Sequence, residues 1–260
     1  MDQQFENTLK RFSPISLQEM DSVKLLNRID TKYTFRPDNI NELLTSLQSA
    51  YRILEINGNR MSHYQTLYFD TPNYQLYLDH HNDRANRYKL RFRKYLDSNL
   101  CYLEMKFKTQ KERTDKKRTK KNEIETSLSE TSIKYIEKHL KKNSPFFVPI
   151  LWNKFTRLTF VHLINPERLT IDIDVEFTGH QSDRIIQLPN IVIAEVKREK
   201  ATSHSDFVQI MRRNGIHEVS FSKYCMGALL LNKTLKYNKF KPQLLTLKKL
   251  TNEYIKPFTA

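Results

Sequence analysis

Five segments of the chain alternate apolar and charged residues at every second position, which is the pattern of a β-strand with one buried face. They are residues 28–35, 88–93, 102–108, 169–177 and 192–199. Further strands are predicted at 61–70, 117–125 and 155–162, so the chain should contain about eight strands.

The charged residues of each alternating segment fall on one side of its strand. These faces carry Arg28, Asp30 and Lys32; Lys89, Arg91 and Arg93; Glu104, Lys106 and Lys108; Thr170, Asp172, Asp174 and Glu176; and Glu195, Lys197 and Glu199. One such strand usually exposes its polar face to solvent. Five with Arg-rich faces of mixed sign favour a closed barrel with the charges inside. The alternative is an open sheet with one basic face.

Helices are predicted between these strands. The capping sequence Ser16–Glu19 opens one that runs to about Leu26, and Pro37 opens another that runs to 50. Ser127–Glu130 caps a helix over 127–142, Ser203–Asp206 begins one that Gly215 ends, and Lys223–Leu231 forms a fifth. The expected fold class is therefore α+β: a closed antiparallel eight-stranded β-barrel with helices packed outside.

Composition supports one domain with a substantial core. The chain has 260 residues, of which 38% are hydrophobic and 11% aromatic. It has four glycines and neither a GxxxxGK[ST] nor a GxGxxG string, which argues against P-loop and Rossmann sites. Cys101 and Cys225 are expected to be free thiols. Because no apolar run approaches the roughly 20 residues of a membrane span, we expect a cytoplasmic protein.

The net charge points to an anionic partner. Forty-four Lys and Arg against 29 Asp and Glu leave +15, which suits nucleic acid, an acidic membrane or phosphate compounds. A tunnel ringed by Arg and Lys suits a phosphate chain, because Arg grips phosphate oxygens bidentately and Lys neutralises them. Carboxylates on the same faces must pair with the cations or hold a metal.

Eight short motifs resemble a known family. They are Arg28-x-Asp30-x-Lys32-Tyr33, Tyr68-Phe69-Asp70-Thr71, Lys89-x-Arg91-x-Arg93, Leu103-Glu104-x-Lys106-x-Lys108, Lys116-x-Arg118, Arg168-x-Thr170-x-Asp172, Ala194-Glu195-Val196-Lys197 and Phe221-Ser222-Lys223-Tyr224. In this order they resemble the VTC domain, the polyphosphate polymerase domain of the vacuolar transporter chaperone family among the triphosphate tunnel metalloenzymes. The resemblance spans about 13–232, followed by a basic tail at 233–260 within a single domain, 1–260.

The resemblance implies an enzyme that transfers the terminal phosphate of ATP to a growing polyphosphate chain, with Mn²⁺ or Mg²⁺. Its catalytic positions correspond to Lys32, Arg91, Arg93, Lys106, Arg157 and Lys223, with Lys116 a further tunnel lysine and Glu195 the metal ligand. We predict by shared strand face or motif that Arg28, Lys89, Lys108, Arg118 and Lys197 also bind substrate. Asp172 is the second predicted metal ligand.

Two departures from the family bear on this prediction. Ser220 stands where well-studied members have a lysine, three positions before Lys223. Their inositol-phosphate-sensing domain and membrane helices are absent from this sequence, which leads us to expect a stand-alone, bacterial form. The Leu-bearing tail (Leu244, Leu245, Leu247, Leu250) should be a helix on the barrel, and a peripheral contact with a membrane or a membrane protein is the minority hypothesis.

Other functions stay open at this point. The same barrel can host a tripolyphosphate or nucleoside-triphosphate hydrolase, or a polyanion-binding module without catalysis. Specific nucleic-acid binding is disfavoured, because Phe92, Met105 and Phe107 alternate away from the charges rather than lie beside them. His80, His81 and Asp83 are expected in a solvated loop, and the run 111–121 on a solvated face or hairpin.

Overall fold

The computed structural model describes residues 3–22, 28–109, 114–140, 146–199 and 204–251. The strands are β1 Pro14–Ile15, β2 Arg28–Phe35, β3 Tyr51–Leu54, β4 Ser62–Asp70, β5 Arg87–Tyr95, β6 Leu100–Lys108, β7 Thr114–Lys121, β8 Val148–His162, β9 Glu167–Gly179, β10 Ile185–Leu188 and β11 Val192–Glu199. The helices are α1 Gln3–Lys10, α2 Leu17–Ser22, α3 Ile40–Leu47, α4 Gln75–His81, α5 Glu130–His139, α6 Asp206–Arg213, α7 Lys223–Leu231 and α8 Lys241–Thr251.

Eight long strands form one antiparallel, strongly curled sheet in the order β2-β11-β9-β8-β4-β5-β6-β7. The short strands join its sides, β3 pairing with β8 and with β1, and β10 pairing with β9. The α+β class and the eight antiparallel strands of the prediction are therefore confirmed.

The predicted closure of the barrel is wrong, since β2 and β7 do not pair within the described residues and the half-barrel is open. Both edge strands are basic: β7 reads TDKKRTKK and is almost wholly exposed, while β2 carries Arg28 and Lys32. Pairing them would place like charges opposite one another and would bury little apolar surface. An open seam is the outcome that these sequences favour.

The convex face of the sheet is apolar and covered by helices, as expected. α1, α3 and α6 pack on a cluster that includes Leu158, Ile171 and Val196. α5 packs through Ile136 on a second cluster that includes Phe92. The residues between these apolar positions therefore point to the concave side, which we call the charged face.

One helix lies on the concave side. Residues of α7 pack with Phe155 and Phe177 in a separate cluster, and Lys223 at its start contacts Asp172 of the charged face. The approach is close: a Cβ on Gly227 would lie 2.6 Å from Cδ1 of Phe177. Glycine at this position lets α7 fill one end of the half-barrel.

Most predicted helix starts are confirmed. Ser16 and Glu19 form the capping box, with the Ser16 N–H donating to Glu19 Oε2 at 2.9 Å and the Glu19 N–H to Ser16 Oγ at 3.2 Å. Ser205 caps α6, and Gly215, with φ of +65°, follows its end. The cap of α5 is Ser129 rather than Ser127, because Ser129 Oγ accepts the Ser132 N–H at 3.3 Å.

The tail prediction is also confirmed, since Leu244 and Leu247 of α8 are buried against the α7 cluster. α7 spans the predicted residues, and both cysteines are free and buried. The predicted extension of α5 to 142 is wrong, because the helix ends at His139 and Leu140 is extended. The predicted continuation of α2 to 26, the run 110–113, residue 203 and the tail beyond 251 lie outside the described residues. Among the residues described, no helix is long and apolar enough to cross a membrane.

The predicted solvated loop at His80 and His81 is wrong, because both residues lie in α4 and His81 is buried. The Asp70 carboxylate caps the first turn of α4, because it accepts the backbone N–H groups of Leu76 at 2.8 Å and Tyr77 at 2.9 Å. Asp70 lies six and seven residues before the groups that it caps, outside the usual capping spacing, and Thr71 Oγ1 also accepts the Gln75 N–H at 2.9 Å.

Candidate functional site

The charged face gathers side chains from most strands of the half-barrel and from the first turn of α7. Lys32 comes from β2, Lys89, Arg91 and Arg93 from β5, Glu104 and Lys106 from β6, Lys116 from β7, Arg157 from β8, Asp172 from β9, Glu195 and Lys197 from β11, and Lys223 from α7. Cations outnumber carboxylates here, and each of the three carboxylates touches two cations.

Asp172 joins β8 to α7. Arg157 donates to both of its carboxylate oxygens, Nε to Oδ1 at 2.5 Å and Nη2 to Oδ2 at 2.7 Å, and Lys223 donates to Oδ2. Burial alone would raise the pKa of Asp172, but Arg157 and Lys223 lower it to about 2. The carboxylate is therefore ionised and holds two cations in fixed positions.

Glu104 plays the same part between β5 and β7. Arg91 donates from Nε at 2.8 Å to Oε2, and Lys116 lies 2.6 Å from Oε1. Burial opposes ionisation, but Arg91, Arg93 and Lys116 hold the pKa of Glu104 well below its usual range. Arg91 also donates to the Tyr68 hydroxyl at 3.3 Å, which fixes its guanidinium.

Glu195 is held more loosely than the other two carboxylates. Lys197 lies 2.6 Å from its Oε2, and Lys32 lies 3.9 Å from its Oε1. These lysines lower the pKa of Glu195 against the effect of burial. Lys32 donates its hydrogen bond to the Phe221 carbonyl at 3.2 Å instead, so one carboxylate oxygen keeps only a distant cation.

Three cations have no carboxylate partner among the described residues: Lys89, Arg93 and Lys106. Lys89 donates to Ser222 Oγ at 3.0 Å, while Arg93 lies over the Tyr64 ring with its Nε buried and unbonded. Desolvation, with repulsion from neighbouring cations, lowers the pKa of both Lys89 and Lys106 to about 8. The Lys106 side chain is nevertheless exposed to solvent, so a ligand can reach it from the open side of the half-barrel. An anion is the missing partner of this group.

The remaining predicted substrate-binding residues lie at the rim. Arg28 pairs with Asp30 at 3.1 Å on the β2 edge, and Lys108 ends β6 opposite Arg87 in register. Arg118 of β7 is exposed and its guanidinium carbon lies 4.9 Å from the centre of the Tyr102 ring.

Metal-binding capacity differs between the two predicted ligands. In the described part of the chain, no three His, Cys, Asp or Glu side chains form a closed metal site. Mg²⁺ commonly uses one or two carboxylates and takes its other ligands from water and substrate phosphates. Glu195, with one weakly engaged oxygen, fits that donor set. Both oxygens of Asp172 already receive hydrogen bonds from Arg157 and Lys223, which favours an ion-pairing role.

Several residues of the site were not singled out from the sequence. Glu104 was placed on the charged face but without a role, although it orders Arg91 and Lys116. Tyr68 and Ser222 belong to the family motifs without a predicted role, yet they accept hydrogen bonds from Arg91 and Lys89. Strand alternation indicates that Tyr68 lies on the charged face. Tyr68 is on the same side of β4 as Thr66, and Thr66 lies opposite Arg93 in register.

The family model of the VTC domain matches residues 27–232 of the chain. The chain belongs to the VTC domain family. The matched range begins just before β2 and ends just after α7, so it contains every residue of the site described above. Among curated proteins, none matches the chain.

Solved structures resemble this VTC domain at low sequence identity. A candidate adenylate cyclase from Vibrio parahaemolyticus is 12% identical, with 78% of this chain and 100% of that chain covered and a TM-score of 0.46. A candidate adenylyl cyclase from Hippeastrum, described as having a dominant triphosphatase activity, is 14% identical, with 77% and 94% covered and a TM-score of 0.43.

Proposed function

We propose that this VTC domain is a polyphosphate polymerase that transfers the terminal phosphate of ATP to a growing polyphosphate chain. Membership of the family supports an activity on phosphate chains. The observation that carries the proposal further is the charged face, where Arg93, Lys89 and Lys106 lack a carboxylate partner among the described residues while their neighbours are paired. A linear polyanion supplies the missing charge to all three at once.

The paired cations are arranged to hold a phosphate chain without moving. Arg91 and Arg157 are each clamped by a carboxylate, so their guanidinium groups keep their direction before substrate arrives. Preorganised donors of this kind stabilise charge that develops during phosphoryl transfer and need little reorganisation. Arg91, Arg157 and Lys223 would therefore clamp the reacting phosphates, while Lys89 and Lys106 neutralise the chain.

Glu195 is the proposed metal ligand, with Mg²⁺ or Mn²⁺ as the ion. Glu195 would hold such an ion, which would offset the repulsion between the carboxylate and the phosphates. Lys32 and Lys197 keep Glu195 ionised, which is the state that a divalent cation requires. Asp172 as a second ligand, and a cytoplasmic location, stay predictions.

A triphosphatase is the second candidate, and Ser220 favours it. This exposed residue lies next to Val219, whose N–H donates to the Lys32 carbonyl at 2.8 Å, at the end of the site where the family's additional lysine would act. With one cation fewer for an acceptor phosphate, water competes better for the transferred group. The two activities share the substrate-binding residues and differ only in the acceptor.

One experiment separates these functions. Purified protein is incubated with ATP and Mn²⁺ or Mg²⁺, and polyphosphate is separated from orthophosphate by electrophoresis. Polyphosphate that grows with time supports the polymerase, whereas orthophosphate alone supports the hydrolase. If ATP and tripolyphosphate bind but neither product forms with any divalent metal, the domain is a polyanion-binding module.

A further inference from the structure

A group of three tyrosines lies on the charged face next to Arg93, and two of its members, Tyr64 and Tyr95, also contact the α7 cluster. Tyr64 of β4, Tyr95 of β5 and Tyr102 of β6 share the strand parity of the cations. Tyr64 and Tyr95 have ring centres 4.9 Å apart, and Tyr95 and Tyr102 6.1 Å apart. We call these three residues the tyrosine group.

The tyrosine group continues the row of cations along β5. Tyr95 follows Arg93, Arg91 and Lys89 on one face of the strand, in steps of about 7 Å. Arg93 lies opposite Tyr102 in register, so the first cation of the row adjoins the tyrosines. A ligand that follows the row outwards passes from Lys and Arg to aromatic rings.

This change of chemistry implies a change in the ligand. The face of a tyrosine ring is the negative pole of its quadrupole and gives an anionic phosphate no attraction. Tyr95 and Tyr102 are nevertheless partly exposed, although Tyr95 also packs against the α7 cluster. A planar, uncharged group is the part of a ligand that such a surface attracts.

Arg118 shows that the Tyr102 ring accepts a planar partner. Its guanidinium carbon lies 4.9 Å from the ring centre, and the side chain is exposed on the outer strand β7. Nucleobases stack on both aromatic rings and Arg guanidinium planes. Tyr102, Tyr95 and Arg118 therefore form a surface on which a base can lie next to Arg93.

We propose that Tyr95, Tyr102 and Arg118 bind the base of a nucleoside triphosphate, while the buried Tyr64 supports Tyr95 from behind. The proposal rests on the proposed function and adds the orientation in which the nucleotide binds. The base lies at Tyr102, the phosphates run past Arg93, and the terminal phosphate reaches Arg91 of the clamp. Lys89 and Lys106 lie beyond it for the polyphosphate chain. Inorganic tripolyphosphate uses the same cations but leaves the tyrosines uncovered.

The test measures binding of three ligands to the full chain by calorimetry without metal: ATP, methyl triphosphate and tripolyphosphate. In the wild type, ATP should bind more tightly than methyl triphosphate, which carries the same phosphates without a base. Tyr102→Ala should weaken ATP binding on the order of ten-fold and leave tripolyphosphate within about two-fold. Tyr102→Phe, which keeps the ring, should bind ATP as the wild type does.

Leu96→Ala is the matched control, because Leu96 follows Tyr95 directly and is 45% exposed. It should change no affinity. Equal binding of ATP and methyl triphosphate by the wild type overturns the proposal even if Tyr102→Ala fails to fold. Equal weakening of ATP and tripolyphosphate in Tyr102→Ala overturns it too. If the wild type binds none of the three ligands, the proposed function itself fails.

Discussion

Arg157 and Asp172 form a two-point ion pair between neighbouring strands, with nitrogen–oxygen distances of 2.5 and 2.7 Å. Both side chains are mostly buried, and the Arg157 guanidinium also lies 5.3 Å from the centre of the Tyr64 ring. The pair fixes a cation on the charged face before any substrate binds. Lys223 shares the same carboxylate, so the pair also ties α7 to the sheet.

Asp172→Asn should destabilise the fold by about 3–5 kcal/mol, because it leaves Arg157 and Lys223 buried without a neutralising charge. Urea unfolding followed by circular dichroism measures the loss. Asp174→Asn is the control: Asp174 is exposed with φ of +52°, a conformation that asparagine adopts readily. Equal, small losses in both variants would show that the carboxylate does not hold these cations.

Glu195→Gln should abolish most turnover of ATP or tripolyphosphate, since it removes the proposed metal ligand. Tripolyphosphate binding without metal should stay the same or tighten, because a negative charge leaves the charged face. Glu199→Gln makes the same chemical change on the same side of β11 and should keep activity. Near wild-type turnover in Glu195→Gln would show that this carboxylate is not the metal ligand.

Arg93→Ala and Arg91→Ala should differ in stability but not in the direction of their binding effect. Both should weaken tripolyphosphate binding roughly ten-fold or more, as expected for the loss of a charged hydrogen-bond donor. Arg91→Ala should also lower the melting temperature, because Glu104 then loses a partner. Arg93→Ala should lower it less, since Arg93 makes no hydrogen bond to a carboxylate in the described chain and acts on Glu104 only from a distance. Equal melting temperatures for the two variants would contradict this distinction.

Phosphate binding should weaken as pH rises through about 8, the value to which desolvation lowers the pKa of Lys89 and Lys106. Below this pH both lysines are cations and attract phosphate, and above it they become neutral. A bound anion raises both pKa values again, so binding near pH 8 should take up protons. Calorimetry in buffers of different ionisation enthalpy measures this uptake.

Lys106→Arg provides the control for the pH dependence, because arginine keeps its charge throughout this range. Its tripolyphosphate affinity should fall less steeply with pH than that of the wild type. An identical pH profile in the two proteins would exclude Lys106 as a titrating group of the site.

Gly227→Ala should destabilise the protein by about 1–3 kcal/mol, the usual cost of overpacking a filled core. Its Cβ would lie 2.6 Å from the Phe177 ring, so α7 would have to move away from the sheet. Adding Phe177→Leu should recover part of the loss, as measured by thermal unfolding. A fully stable single variant would show that α7 does not pack this closely.

Strand parity predicted which side chains share a face in the regular strands, but not in β9. There Asp174, with φ of +52°, interrupts the alternation, so that Val175 and Phe177 pack with α7 and not with Ile171 and Ile173. Lys89, Arg91 and Arg93 alternate with Leu90 and Phe92, and the structure places the apolar pair under α5. The reason is local: successive side chains of a strand point to opposite faces whatever lies around it. The same rule places Tyr95 and Tyr102 on the face of the cations, although the alternation does not by itself indicate a site for a base.

Closure of the barrel and the pairing of charges depended on contacts that no local pattern encodes. Whether β2 and β7 meet is decided by two basic edges that are far apart in the sequence, since β2 ends at Phe35 and β7 begins at Thr114. Similarly, Asp172 on β9 is shared by Arg157 on β8 and Lys223 on α7, which only the packing of α7 on the concave side brings together. The sequence by itself determined the long strands, the faces of those without an interruption, and the family. The tertiary structure alone decided that the sheet stays open, and which cations are neutralised and which are left for a ligand, because burial and distance set the strength of each charge interaction.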